Sequence, residues 1–215
     1  MGENNSLEYD FRFINEKDED ELVEFLVNEF LLTEPMNNAL KMSKEMKEPK
    51  LKKLFKNNFL INNSFIAFSK EDGKIVGIRL LSKIKRDEKE EEMTSENELS
   101  PGQKKINKIL HSVGEDLWNL VPENINTLVR TEISCVARDW YRKGIASKLE
   151  DEGNKIIKNR FPEVQGIVAE ASSNANQTLL KNKGYKVLKK SYFCDFDIPR
   201  GYEGTDHIEL VVKLF

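Results

Sequence analysis

The segment Ser134-Cys135-Val136-Ala137-Arg138-Asp139-Trp140-Tyr141-Arg142-Lys143-Gly144-Ile145-Ala146-Ser147-Lys148-Leu149 reads as strand, turn and helix, and the rest of the chain is organised around it. Leu128 to Val136 is rich in β-branched and apolar residues, as a strand requires. Arg138 to Lys143 is polar and basic apart from two aromatics. From Gly144, the residues Ile145, Leu149, Ile156 and Ile157 form the apolar set of an amphipathic helix. The first N–H groups of a helix have no intrahelical partner, and the helix dipole adds partial positive charge. A basic turn opening into a helix N-terminus therefore suits an anion such as phosphate. Gly144 and Ala146 leave the backbone accessible there. An ordinary strand-to-helix turn with solvated Arg and Lys fits the same residues, and the turn alone leaves both readings open.

Around this segment the pattern predicts alternating strands and helices. Leu7 to Phe13 alternates and reads as a strand. Asn15 is placed to cap a helix whose first turn is acidic (Asp18, Glu19, Asp20, Glu21) and whose apolar face holds Leu22, Phe25, Leu26 and Phe30. That helix stops near Glu34-Pro35, because a residue before proline is pushed out of α geometry. Met36 to Leu60 predicts two short helices, with Pro49 in a first turn. Phe65–Ser69 and Ile75–Leu81 form a hairpin around Asp72-Gly73. Arg86 to Gly102 is charged and acid-rich, and predicts a solvated loop ending in Ser-Pro-Gly. A helix follows with Ile106, Ile109, Leu110, Val113 and Leu117 on its core face, and His111 on it reads as structural. After the central segment come a strand (Val164–Ala171), a helix (Asn174–Lys183) closed by Gly184, a strand (Tyr185–Phe196), a loop and a last strand (Ile208–Phe215). Mixed hairpins and strand–helix units predict an α/β fold with a mixed central sheet flanked by helices.

Composition narrows the function classes. Of 215 residues, 39% are hydrophobic and 33% charged, with a net charge of −3, which weighs against general nucleic-acid affinity. Two cysteines make no disulfide framework; Cys135 and Cys194 both fall in apolar runs and read as core residues of a protein in a reducing, cytoplasmic setting. Two histidines and two cysteines far apart show no metal-ligand spacing, so no metal is expected. No apolar run is long enough to span a bilayer, and no signal peptide is visible. Met1-Gly2-Glu3-Asn4-Asn5-Ser6 formally fits the myristoylation pattern, but Glu3 and the lack of a following basic cluster weigh against membrane attachment.

The central segment resembles the coenzyme A-binding motif of the GNAT N-acetyltransferase superfamily. There, a hydrophobic strand ending in Val runs into a turn that holds the pyrophosphate. Val136, Trp140, Lys143, Gly144, Ile145 and Ala146 fall on that pattern at its spacing. One departure stands out: the family's Gln/Arg position is Tyr141, and the arginine stands one later, at Arg142. Three further pieces resemble the invertebrate arylalkylamine (dopamine-type) N-acetyltransferases: Phe30-Leu31-Leu32-Thr33-Glu34-Pro35-Met36, Ile75-Val76-Gly77-Ile78-Arg79-Leu80, and Ala171-Ser172-Ser173-Asn174-Ala175-Asn176 with Lys183-Gly184-Tyr185. The resemblance implies the GNAT acyl-CoA N-acyltransferase fold in a single domain over residues 7–215, with an inserted loop and helix at about 86–126 and a short tail at 1–6.

It also implies a direct transfer from acetyl-CoA, as co-substrate, to a small-molecule primary amine. Glu34 corresponds to the family's general base. Ser172 corresponds to the first serine of a pair that assists the departing thiolate; the later serine is replaced by Asn176. The cofactor-binding residues implied are Ser134, Cys135, Val136, Arg142, Lys143, Gly144, Ile145, Ala146, Ser147 and Asn176. The tyrosine that many superfamily members use as general acid is Leu180 here, and Tyr185 reads as packing or as stacking near the cofactor. Cys135 as an acyl-carrying nucleophile is disfavoured, because no histidine adjoins it and its strand position points to the core. Two other readings remain: a polyamine or other amine acetyltransferase, which the acids of 88–98 would suit, and a degenerate acyl-CoA-binding module.

Overall fold

The computed structural model describes residues 8–45, 51–52, 54–56, 58–88 and 99–215. The myristoylation pattern at Met1–Ser6, Leu7, Pro49 and most of the acid-rich stretch (89–98) lie outside them. The strands are β1 (Tyr9–Phe13), β2 (Phe65–Ser69), β3 (Ile75–Lys85), β4 (Thr127–Val136), β5 (Gly166–Ala171), β6 (Lys186–Tyr192) and β7 (His207–Leu214). They form one sheet in the order β1-β2-β3-β4-β5-β7-β6. Only β4 and β5 run parallel; every other neighbouring pair is antiparallel. This is the mixed α/β sheet that the sequence pattern predicts.

The helices are α1 (Glu19–Phe25), α2 (Leu31–Thr33), α3 (Pro35–Ala39), α4 (Asn58–Asn63), α5 (Pro101–Gly114), α6 (Leu117–Leu120), α7 (Ile145–Arg160) and α8 (Asn174–Asn182). A capping box at Asn15 and Asp18 starts the first helical run, as expected. Between α1 and α2 the backbone widens into a π turn, Leu26–Phe30. The helices pack on both faces. Leu22 and Leu26 pack with Ile78, Leu80, Ile133 and Cys135. Ile106, Ile109 and Val113 of α5 pack with Ile84, Leu128 and Val168. On the opposite face Ile145, Leu149 and Ile157 of α7 and Leu180 of α8 pack with Val129 and Ile167.

Two irregularities of β4 shape the molecule. Leu80 pairs with Ile133 and Leu81 with Thr131, so Glu132 has no opposite number on β3. On its other edge β4 pairs with β5 only at Val129, Arg130 and Thr131. Beyond that β5 continues along β7, and the two parallel strands separate. Close approach keeps α7 on the sheet: a Cβ on Gly77 would lie 2.7 Å from Ile145 Cγ2.

Four sequence expectations need correction. Ser-Pro-Gly begins α5 rather than ending a loop, because Ser100 accepts the Gln103 N–H and Pro101 takes a first-turn place where no N–H is needed. The helix predicted to run through Leu117 breaks at Glu115-Asp116 into α5 and α6. The strand predicted to reach Phe196 ends at Tyr192, and Phe193–Phe196 is a 3₁₀ turn that buries Phe193. Cys194 is therefore exposed, whereas Cys135 is buried as expected.

Candidate active site

A cavity of about 670 Å³ opens where β4 and β5 part. Glu34, Ser134, Cys135, Val136, Arg142, Gly144, Ile145, Ala146, Ser147, Ser172 and Asn176 all line it. Lys143 does not join them: its Nζ lies 4.3 Å from the centre of the Trp140 ring and 2.6 Å from a Glu8 carboxylate oxygen.

One end of the cavity is the N-terminus of α7. Gly144, at φ +79°, caps the helix without a side chain, and the first intrahelical bond runs from Lys148 N to the Gly144 carbonyl at 3.0 Å. The N–H groups of Ile145, Ala146 and Ser147 thus precede the helical ladder and face the cavity wall. A Cβ on Gly144 would meet nothing within 4 Å, so the approach to these donors is open. Arg142 holds φ +61°, an unusual conformation for a residue with a Cβ, and turns the chain into the helix. These features fit a pyrophosphate.

In the middle, the Ile133–Val136 edge of β4 has no β5 partner, so its outward backbone groups line the gap. Across the gap stand Ser172 and α8. The two adjacent serines differ sharply. Ser173 accepts the Asn176 N–H at 3.2 Å and caps α8, whereas the Ser172 hydroxyl makes no hydrogen bond among the described residues. Cys135 faces the α1 side; burial, then the charge of Glu29, pushes its thiol up to about 12, so it remains an unreactive thiol.

The other end carries Glu34. The residue before Pro35 adopts ψ 123°, which ends α2. Its buried carboxylate then caps α3, one oxygen accepting the Met36 N–H at 3.2 Å and the other the Asn37 N–H at 2.7 Å. Phe30, Leu54, Ile106 and Leu110 also line the cavity, with Tyr141, Tyr202 and Glu203. Burial raises the Tyr141 phenol above its ordinary range, against the Thr33 hydroxyl, which favours the charged form. Tyr202 and Glu203 come from the β6–β7 loop and carry no sequence signal that marks them. Tyr185 lies elsewhere: it is buried beneath α7, with its hydroxyl on Glu150.

The β6–β7 loop reaches this end through Gly201. A Cβ there would lie 2.6 Å from the Pro35 carbonyl carbon and 2.7 Å from its Cα, so the loop rests directly on the Glu34-Pro35 turn. Gly201→Ala is expected to lower stability by about 1–3 kcal/mol through this overpacking. Denaturant melts read the effect, and an unchanged midpoint would mean that the loop yields freely.

Among the described residues, no group of three or more His, Cys, Asp and Glu side chains is arranged to hold a metal ion, and no helix is long and apolar enough to cross a membrane. No protein-family model matches the chain, and no curated protein matches it. Solved structures do. Arylalkylamine N-acetyltransferase 2 from Aedes aegypti is 20% identical, with a TM-score of 0.79 over 96% of this chain and 98% of that one. The Drosophila melanogaster polyamine N-acetyltransferase that forms N-acetylagmatine is 14% identical, with a TM-score of 0.76 over 96% and 100%. The C-terminal condensation domain of Ebony, solved with β-alanyl-dopamine, is 16% identical, with a TM-score of 0.74 over 97% and 100%. The chain has the GNAT fold and resembles the insect arylalkylamine N-acetyltransferases in it.

Proposed function

We propose that this protein moves an acetyl group from acetyl-CoA directly to a primary amine, with an arylalkylamine as the preferred acceptor. The observation that carries the reading is one cavity that joins an open helix N-terminus, an unpaired strand edge and a buried carboxylate. The Arg142–Ser147 turn binds the pyrophosphate through backbone N–H groups. The Ile133–Val136 edge offers backbone groups to the pantetheine arm, and an N–H near Val136 polarises the thioester carbonyl. An amine with a pKa near ~10 arrives as ammonium and cannot attack until deprotonated. Glu34 accepts that proton, directly or through water. Ser172, with its hydroxyl uncommitted, hydrogen-bonds the departing thiolate. Phe30, Tyr141 and Tyr202 give the acceptor end an aromatic lining that suits an aryl group. Two free cysteines, one of them exposed, support a reducing cytoplasmic setting.

A second reading, a polyamine-type acceptor, is favoured by Glu203, a further carboxylate at the cavity wall that would meet a second ammonium. The same assay separates the two. Thiol release from acetyl-CoA is measured with dopamine, tyramine, serotonin, octopamine, agmatine, spermidine and a lysine peptide. Turnover confined to the aryl amines is expected. Turnover confined to agmatine or spermidine would move the assignment to polyamines. Silence across the panel despite acetyl-CoA binding would leave a non-catalytic binding module.

A further inference from the structure

The helical run that carries Glu34 is tied to the start of the phosphate turn by the side chains of Glu29 and Arg138, beside the contact of Thr33 with Tyr141. Glu29 Oε2 accepts both the backbone N–H of Arg138, at 3.1 Å, and its Nε, at 3.0 Å. Arg138 Nη2 also lies 3.5 Å from Glu29 Oε1 and from the Asn28 carbonyl. Glu29 sits in the π turn, where the wider backbone sets the orientation of the residues that follow. From Glu29 the connection continues towards Glu34: the Thr33 hydroxyl donates to the Glu29 carbonyl at 2.8 Å, and Glu34 N donates to the Phe30 carbonyl at 2.8 Å. Neither Glu29 nor Arg138 lines the cavity, so neither is placed to touch the reacting groups.

We propose that the Glu29–Arg138 pair is a positioning device: it fixes the π turn to the phosphate turn and so holds the Glu34 carboxylate at one spacing from the thioester. The inference rests on the acetyltransferase reading above. Transfer between two bound groups is sensitive to their separation at the scale of an ångström. The pair is half-exposed, Arg138 at 47% and Glu29 at 18% of the side chain, so its contribution to global stability is small. Its effect on rate therefore separates from its effect on folding.

The test uses the whole chain and the best amine of the panel. Glu29→Gln keeps the shape and removes the charge; Arg138→Ala removes the partner; the double variant combines them. Each single variant is expected to lower kcat by about 10–100-fold. Acetyl-CoA Kd, measured by calorimetry, should stay within about twofold, with little change in melting temperature. The double variant should be no slower than the worse single one, because both singles weaken the same charged side-chain pair, while the bond from the residue-138 backbone N–H remains available in each. Wild-type kcat in Arg138→Ala would overturn the proposal. So would a loss of acetyl-CoA affinity equal to the loss of kcat/KM, which would make Arg138 a phosphate contact, or fully additive losses. If Glu34→Gln kept wild-type turnover, the general-base reading itself would fall; an inactive Glu34→Gln beside a fully active Arg138→Ala would remove the positioning role alone.

Discussion

Replacing Glu34 by glutamine is expected to lower kcat for a primary amine by about 10²–10⁴-fold while acetyl-CoA affinity stays within about twofold. The substitution is nearly isosteric. Its amide oxygen can still accept an N–H from Met36 or Asn37, so α3 keeps part of its cap. What is lost is the capacity to take a proton. Glu34→Ala would in addition remove the cap, at a cost of about 0.5–2 kcal/mol in stability. The two variants therefore separate chemistry from folding. The pH dependence gives a second readout. Without a base the enzyme depends on amine that arrives already neutral, a fraction that rises about tenfold per pH unit below the amine's own pKa of ~10. The glutamine variant should recover rate along that line. Wild-type kcat at neutral pH in Glu34→Gln would rule out this carboxylate as the base.

The second large effect is structural. Arg79→Ala is expected to destabilise the fold by about 3–5 kcal/mol, read by denaturant unfolding. Arg79 is fully buried beneath α7. Its Nη2 lies 3.0 Å from a Glu150 carboxylate oxygen and 3.2 Å from the Thr131 hydroxyl, and its Nη1 reaches the Leu149 and Glu150 carbonyls at 3.4 Å. The Tyr185 hydroxyl and the Asn154 amide also donate to Glu150. Burial, then the charge of Glu150, pushes the Tyr185 phenol far above its ordinary range, so it stays a donor. Removing Arg79 leaves Glu150 buried and charged without its counter-ion, and leaves a void beside Gly153, whose missing Cβ makes room for Nη1. Arg79→Met combined with Glu150→Leu should recover only part of the loss, since it removes the unpaired charge but takes the acceptor from the buried Tyr185 hydroxyl and Asn154 amide. A loss below about 1 kcal/mol in Arg79→Ala would mean that the pair contributes little beyond packing.

Much of this architecture follows from local chemistry. Asn15 with Asp18, Glu34-Pro35, Asp72-Gly73 and Gly184 each mark a boundary through a cap, a steric exclusion or a left-handed turn, and each boundary stands where that chemistry puts it. The features that escaped are set by distant partners. The π turn has no signature of its own; its Glu29 bonds to Arg138, 109 positions away. Lys143 holds its expected place in the turn, but its ammonium is drawn to Glu8, 135 positions away. Tyr192-Phe193-Cys194 alternates as a strand would, yet after Tyr192 the chain turns to bury Phe193, and Cys194 is left outside. In the cavity, the residues read from the central segment come together because they share one strand, turn and helix. Tyr202 and Glu203 join through the packing of Gly201 on Pro35 and through the Asn174 amide, which donates to the Glu203 carbonyl.

The unopposed residue Glu132 gives β4 a shift of phase. On β3, Ile78, Leu80 and Ile84 all lie on the face that α1 and α5 cover. On β4 that face receives Leu128 before the extra residue, and Ile133 and Cys135 after it. Even positions give way to odd ones within a single strand, and Ser134 and Val136 are delivered to the other side. Which side chain meets which helix is thus decided by a count of backbone units. Substitutions in β4 can vary without disturbing that count. Loss of Glu132 alone would remove the bulge and leave Ile133 opposite Leu80, so Cys135 and Ser134 would keep their faces, whereas loss of one residue from the regularly paired stretch beyond it would exchange them. The number of residues in this strand, rather than their identity, sets the face each position takes.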